Sequence, residues 1–100
     1  MRTIVTLELS ARKLASWYRD TAGIRGVKVI SENTLDSDWT IKTVLTHFMI
    51  TEGISIWRRP EISVNRNTLK KDEDFFLVIL SADRDVTVAC RKISETFCED

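Results

Sequence analysis

The sequence predicts an α+β fold, a single-domain layered sandwich of residues 1–100 in which two or three helices cover a mixed β-sheet of about four strands. Two observations predict it. The composition is that of a globular domain, with 43% hydrophobic and 30% charged residues but only three glycines and one proline. The periodicity of the apolar residues switches repeatedly between strand-like and helical spacing, which gives the element order β-α-β-α-β-β-α.

The first quarter of the chain predicts a strand followed by a helix. Val5, Leu7 and Leu9 alternate with polar residues and indicate a half-buried strand over residues 3–9. Ser10 is a suitable N-cap for the helix that follows, and Gly23 is its expected C-terminal stop. The apolar stripe of this helix comprises Ala11, Leu14, Ala15, Tyr18 and Ala22.

A turn over residues 23–26 then leads to a second predicted strand over residues 27–31 and a polar connection over residues 32–38. Residues 39–52 carry two conflicting signals. Their many β-branched side chains favour a strand, which would turn the fold into a strand meander with two helices. Their helical spacing favours a helix that Gly53 ends, and we predict the helix because periodicity is the primary signal. Its apolar stripe is Ile41, Val44, Leu45, Phe48 and Met49.

The C-terminal half predicts an extended segment, a central strand and a last helix. Residues 54–64 are extended in pattern, but Pro60 confines them to an edge strand, a bulge or a turn. A polar loop over residues 65–74 precedes residues 75–80, which are apolar on both faces and are typical of a central strand. Ser81 or Asp83 is the expected cap of the last helix. The buried stripe of this helix is Val86, Ala89, Cys90, Ile93 and Phe97.

Charge and hydropathy argue against several classes of function. Fifteen basic residues balance fifteen acidic ones, so the chain has no net charge that would attract nucleic acid or an anionic membrane. The longest apolar run is residues 75–80, against the roughly 20 residues that a membrane helix needs. Glu8 interrupts the first apolar stretch before a secretory signal develops, which predicts a cytoplasmic protein. Cys90 and Cys98 would lie about 12 Å apart along one helix and are expected to be free thiols, with Cys98 the more exposed.

Residues for catalysis or metal binding are few. His47 is the only histidine, and on the predicted helix it lies on the polar side, as a solvated surface histidine would. One histidine and two cysteines do not make an ordinary Cys/His metal site. The acidic run over residues 72–74 is typical of a solvated loop, because adjacent side chains diverge. We therefore expect no cofactor, no metal and no catalytic residues, with a small enzyme that uses His47 as the remaining enzymatic hypothesis.

The strongest binding signal is a mixture of tryptophan and cations. Residues 57–71 carry five cations against one acid, whereas residues 72–100 carry eight acids against three bases. Tryptophan and arginine are enriched at the centres of protein interfaces, and the same mixture also serves nucleic-acid stacking or guards an edge strand against aggregation. The predicted partner-binding residues are Trp57, Arg58, Arg59, Arg66, Lys70 and Lys71.

Four other apolar residues lie off the predicted stripes. Trp17 and Trp39 are expected at the edge of the core, with a role as exposed anchors as the alternative. Ile50 and Val88 face away from their stripes, which favours a homodimer or a partner interface. The predicted function is that of a non-enzymatic small regulatory protein, an inhibitor or adaptor, acting by stoichiometric protein–protein binding. The alternative is a nucleic-acid-binding module that uses the basic edge and loop of residues 57–71, which a salt-dependent affinity would reveal.

Overall fold

A computed structural model describes residues 2–25, 38–65 and 75–99, and within them it confirms the α+β class. Three helices and a three-stranded antiparallel sheet make up these residues. The elements are β1 (Thr3–Ser10), α1 (Ala11–Arg25), α2 (Asp38–Thr51), a 3-10 turn (Ile56–Arg58), β2 (Glu61–Asn65), β3 (Phe75–Ala82) and α3 (Thr87–Phe97).

The sheet has the strand order β1-β3-β2, so β3 is the central strand, as its apolar run predicts. Leu80 of β3 lies opposite Val5 of β1 on one side and Ile62 of β2 on the other. In the described part of the chain the sheet has three strands, all paired antiparallel, which is slightly fewer than the about four strands of a mixed sheet that the sequence predicts. The predicted strand over residues 27–31 and nearly all of the predicted connections 32–38 and 65–74 lie outside the described residues.

Helix α1 begins as predicted but extends beyond its predicted end. The Ser10 hydroxyl oxygen accepts a hydrogen bond from the backbone N–H of Lys13 at 3.2 Å, which is the bond an N-cap makes. The predicted stop at Gly23 is wrong, because the helix continues to Arg25. Glycine inside a helix costs only about 1 kcal/mol relative to alanine, so it ends a helix only when other interactions favour the turn.

Residues 38–51 form α2, so helical periodicity outweighs the strand propensity of the β-branched residues. The five residues of the predicted stripe are all at most 1% exposed. A strand would place alternate members of this stripe on opposite faces of the sheet, and the buried area would be lost. Tertiary burial therefore decides the conformation of this segment.

The predicted extended segment over residues 54–64 is a strand only from Glu61 onward. Its first half contains the 3-10 turn instead. The register explains the difference, because Glu61 pairs with Ser81 and β3 ends one residue later, at Ala82. Pro60 therefore lies opposite the last residue of β3, and the residues before Pro60 lie beyond the end of that strand.

Helix α3 begins at Thr87, later than predicted, and neither Ser81 nor Asp83 caps it. Ser81 is part of β3, which is two residues longer than its apolar run. Asp85 is the residue that binds the first turn, because its Oδ1 accepts hydrogen bonds from the backbone N–H and the hydroxyl of Thr87 at 2.9 and 2.6 Å. The predicted stripe is confirmed for Val86, Ala89, Ile93 and Phe97, which are buried, whereas Cys90 is half-buried.

The core lies between the helices and one face of the sheet. Leu9, Val78 and Leu80 supply the buried sheet residues, and α2 and α3 supply Phe48 and Phe97, whose ring centroids are 4.8 Å apart. The opposite sheet face carries exposed side chains such as Ile4, which is 64% exposed, and Thr6. One face of the sheet therefore packs against the helices to form the core, and the described side chains on the opposite face include exposed ones.

Candidate protein-binding surface

The candidate surface begins where α2 ends. Gly53 has a φ of +72°, a conformation that favours glycine, and its N–H donates to the carbonyl oxygen of Ile50 at 3.0 Å. The N–H of Ile54 donates to the carbonyl oxygen of Met49, also at 3.0 Å. These two bonds form a Schellman motif, in which the apolar residue after the glycine, here the buried Ile54, packs against the helix. The chain thus leaves α2 in a fixed direction.

The next residues form a tight turn whose apolar side chains face outward. The N–H of Arg58 donates to the carbonyl oxygen of Ser55 at 2.9 Å. Ile56 is 66% exposed and Trp57 is 75% exposed, and the turn contains no buried residue. The hydrophobic core therefore gains little from either side chain.

Arg59 supports this turn from inside the molecule. Its Nε and Nη2 atoms both donate to the carbonyl oxygen of Ile54, at 3.1 and 3.0 Å. The guanidinium of the residue that follows the turn thus binds Ile54, which lies two residues before the turn. Among the predicted partner-binding residues, Arg59 is half-buried while Trp57 and Arg58 are exposed. Arg66, Lys70 and Lys71 lie outside the described residues.

The turn also rests against the connection between β3 and α3. The Nη1 atom of Arg84 donates to the carbonyl oxygen of Trp57 at 3.0 Å. Arg58, Asp85, Val86 and Val88 line a shallow cavity of about 160 Å³ at this contact. The hydroxyl and backbone N–H of Thr87 lower the pKa of the Asp85 carboxyl, and the positive charge of Arg58 adds to this effect.

A second shallow cavity, of about 360 Å³, lies on the other side of Arg58 and Val88. Its lining includes Glu52 and Lys92, whose Oε2 and Nζ atoms form a salt bridge of 3.3 Å between the end of α2 and α3. Val88 is 37% exposed, as its position off the α3 stripe predicts. We use the name Trp57 surface for the residues Ile56, Trp57, Arg58, Arg84, Asp85 and Val88.

One member of this surface, Arg84, matters for its geometry but was not predicted from the sequence. Arg84 carried no signal, since the residue that binds it is 27 positions away in sequence and contributes only a carbonyl oxygen. Ile50, which was expected off its stripe, is 49% exposed. Trp17 is confirmed at the core edge, because its ring lies edge-on to Phe48 and Phe97 with centroid distances of 5.4 and 6.1 Å. The side chain of Trp39 is outside the described part of the structure.

The histidine and the two cysteines, which the sequence offers as candidates for catalysis or metal binding, are not part of the Trp57 surface. His47 is half-buried and packs edge-on against Tyr18 with ring centroids 6.2 Å apart, so it is less solvated than the sequence predicts. Cys90 and Cys98 are free thiols, as predicted, but both are half-buried and both pack against the core, so Cys98 does not stand out as the exposed one. Burial raises the pKa of the Cys90 thiol.

Within residues 2–25, 38–65 and 75–99, no group of three or more histidine, cysteine or acidic side chains is arranged to hold a metal ion. In the same residues no helix has the length and apolar character needed to cross a membrane. Comparison of the chain with models of known protein families, with curated proteins and with solved structures gives no significant match in any of the three.

Proposed function

We propose that the protein is a non-enzymatic small regulatory protein, an inhibitor or adaptor, that acts by stoichiometric binding of another protein through the Trp57 surface. The observation that supports this most directly is a tryptophan that is 75% exposed on a turn held by side-chain hydrogen bonds from Arg59 and Arg84. The two free thiols are typical of a reducing compartment, and we propose that the protein acts in the cytoplasm.

An exposed tryptophan on a rigid turn is suited to anchor a complex. Tryptophan is among the residues that contribute most to binding when a partner buries them. Binding by a flexible loop loses affinity because the loop must be ordered, at about 0.5–1.5 kcal/mol for each immobilised side chain. The Schellman motif at Gly53 and the two arginines have already fixed the backbone of this turn, so little ordering remains for the complex.

The charges around Trp57 support a protein partner over a nucleic acid. A phosphate-binding surface needs cations that are available to the backbone of the nucleic acid. Here Arg59 and Arg84 donate to backbone carbonyls of their own chain, and the acids Asp85 and Glu52 line the adjoining cavities. We expect a partner with an apolar cleft for the indole ring and a carboxylate that faces Arg58.

The test is to capture partners on the immobilised full chain, with and without nuclease, and then to measure the affinity of the purified partner for variants. Trp57→Ala should weaken binding at least tenfold, about 1.4 kcal/mol. Ile4→Ala is the matched control, because it removes another exposed apolar side chain from a different surface. A partner that is lost on nuclease treatment would support the nucleic-acid alternative instead. Equal affinity of the two variants would exclude the Trp57 surface as the binding site.

A further inference from the structure

A small polar cavity lies next to the turn that carries Trp57, at the end of the sheet where β1 and β2 begin and β3 ends. The described residues of its lining include three arginines and two acids, namely Arg2, Arg59, Arg84, Glu61 and Asp83. Three guanidinium groups against two carboxylates give these residues one positive charge in excess. The volume of the cavity is about 40 Å³, so it is much smaller than the two cavities beside Val88.

Arg2 holds both acids of this cavity. Its Nη2 atom donates a hydrogen bond to Oε2 of Glu61, and its Nη1 atom lies 3.5 Å from Oδ1 of Asp83. Both carboxylates are thus paired with the same guanidinium, and neither forms a salt bridge with the other two arginines of the lining. The excess positive charge of the cavity therefore belongs to Arg59 and Arg84.

Arg59 and Arg84 have no acidic partner among the described residues. Arg59 donates from Nε and Nη2 to the carbonyl oxygen of Ile54. Arg84 donates from Nη1 to the carbonyl oxygen of Trp57. A guanidinium carries five N–H donors, so these bonds hold both groups in place and leave further donors for another acceptor. Arg59 is also half-buried, and a partly buried charge with only neutral partners is unfavourable until an anion pairs with it.

We propose that Arg59 and Arg84 form a binding site for a carboxylate, which an acidic side chain of the protein bound by the Trp57 surface supplies. This inference rests on the proposed function, and the carboxylate is a second one, distinct from the group expected to face Arg58. The planar fork of arginine matches the two oxygens of a carboxylate, and such charge-assisted hydrogen bonds are about twice as strong as neutral ones. The carbonyl bonds already hold both guanidinium groups, so little side-chain entropy is lost on binding.

The size and the position of the cavity favour a carboxylate of a bound protein over the phosphates of a nucleic acid. At about 10–15 Å³ for each atom the size of a water molecule, a cavity of about 40 Å³ holds about three such atoms. A carboxylate group, with one carbon and two oxygens, matches that number, whereas a phosphodiester is larger. Arg84 also belongs to the Trp57 surface and binds the carbonyl oxygen of Trp57. A protein that buries the indole ring therefore brings its neighbouring side chains to the cavity.

The first experiment titrates the full chain with sodium acetate and follows the side-chain Nε–H signals of its arginines by NMR. The signals of Arg59 and Arg84 should shift in a saturable manner with acetate, and sodium chloride at the same ionic strength should not reproduce the shift. Arg91, which pairs with Glu95 on its own helix, is the internal control. Equal shifts with acetate and chloride would overturn the proposal. So would the absence of any shift, which is the result expected if an acid of the same chain already fills the cavity.

Variants that change the charge of the cavity should change the affinity for acetate in opposite directions. Asp83→Asn should tighten binding about threefold, because it removes a negative charge, and the 76% exposure of the Asp83 side chain means that the variant should fold. Arg84→Gln should weaken binding at least threefold. Arg58→Gln is the matched control, since Arg58 adjoins Arg59 in the sequence but does not line this cavity. Unchanged affinity in Asp83→Asn, or equal losses in Arg84→Gln and Arg58→Gln, would contradict the site.

A second experiment measures the affinity of the purified partner for the same variants. Asp83→Asn should tighten partner binding, whereas Trp57→Ala should weaken it, so the two proposals predict changes of opposite sign. Acetate binding combined with an unchanged partner affinity in Asp83→Asn would overturn the assignment of the site to the partner and leave the proposed function standing. Equal partner affinity in Trp57→Ala and Ile4→Ala would overturn the proposed function, whereas a saturable acetate shift would still support the carboxylate site.

Discussion

Arg84 donates a hydrogen bond of 3.0 Å from its Nη1 atom to the carbonyl oxygen of Trp57, and this bond joins two segments that are far apart in the sequence. One segment is the turn that exposes the indole ring. The other is the connection from the central strand to α3. The bond therefore fixes the position of Trp57 relative to the sheet and contributes to its rigidity, while the indole ring itself stays exposed.

Arg84→Ala should loosen the turn without unfolding the protein. The bond is exposed, so its loss should change the free energy of unfolding by no more than about 1 kcal/mol. The amide hydrogens of Arg58 and Arg59, which bond within the turn, should exchange several-fold faster. Hydrogen exchange followed by NMR measures both quantities. Arg91→Ala is the control, because Arg91 pairs with Glu95 on its own helix, and equal exchange in the two variants would contradict the role of Arg84.

Trp57→Ala and Trp17→Ala should change the stability of the protein by very different amounts. Trp57 is 75% exposed, so we expect its replacement to change the free energy of unfolding by less than about 0.5 kcal/mol. Trp17 packs against two core rings, and its replacement should cost about 3 kcal/mol. Urea denaturation of both variants tests this contrast. A large loss of stability in Trp57→Ala would mean that the indole ring serves the fold and would weaken the proposed binding role.

Gly53→Ala should destabilise the protein by about 1–2 kcal/mol through backbone strain alone. The residue has a φ of +72°, in the left-handed region, and an added Cβ meets no atom within 4 Å. Gly53→Asn should cost less, because asparagine tolerates this conformation better than alanine does. Chemical denaturation of the two variants measures the difference. If Gly53→Ala and Gly53→Asn lower the free energy of unfolding equally, backbone strain at this position would not explain the loss of stability.

The parts of the fold that follow from local periodicity could be predicted from the sequence. The buried stripe of α2 is an example, since Ile41, Val44 and Phe48 recur at helical spacing and are buried in the structure. The end of α1 could not be predicted in this way. Gly23 is compatible with both a helix interior and a helix end, and the choice depends on contacts that no local pattern reports.

The candidate site was predictable in one part only. Trp57 and Arg58 carry a compositional signal, and the structure finds both exposed. The 3-10 turn that holds them was not predictable, because it depends on the register of β2, which places Glu61 opposite Ser81 near the end of β3. The hydrogen bond from Arg84 to the carbonyl oxygen of Trp57 could not be predicted either. A side chain that donates to a distant backbone carbonyl leaves no residue-type pattern in the sequence.

The stability of the start of α3 should depend on pH through Asp85. The hydrogen bonds from Thr87 lower the pKa of this carboxyl below its ordinary value of 3.8 in the folded protein. Folding therefore favours the ionised form, so its stabilising effect is complete above the pKa of the unfolded chain and is lost as the pH falls through the lower folded pKa. The difference in unfolding free energy between wild type and Asp85→Asn should accordingly shrink below pH 3.8.

NMR titration of the Asp85 carboxyl checks the cause of this pH dependence directly. Thr87→Val removes the hydroxyl that donates to Oδ1 at 2.6 Å but retains the backbone N–H that donates at 2.9 Å. The pKa of Asp85 should rise toward its ordinary value in this variant without reaching it, because the backbone bond and the charge of Arg58 remain. Arg58→Gln should raise the pKa by a smaller amount, since its charge contributes less than the hydroxyl does. A pKa that stays the same in Thr87→Val would show that the hydroxyl bond does not form in solution, and the first turn of α3 would then depend on the backbone bond alone.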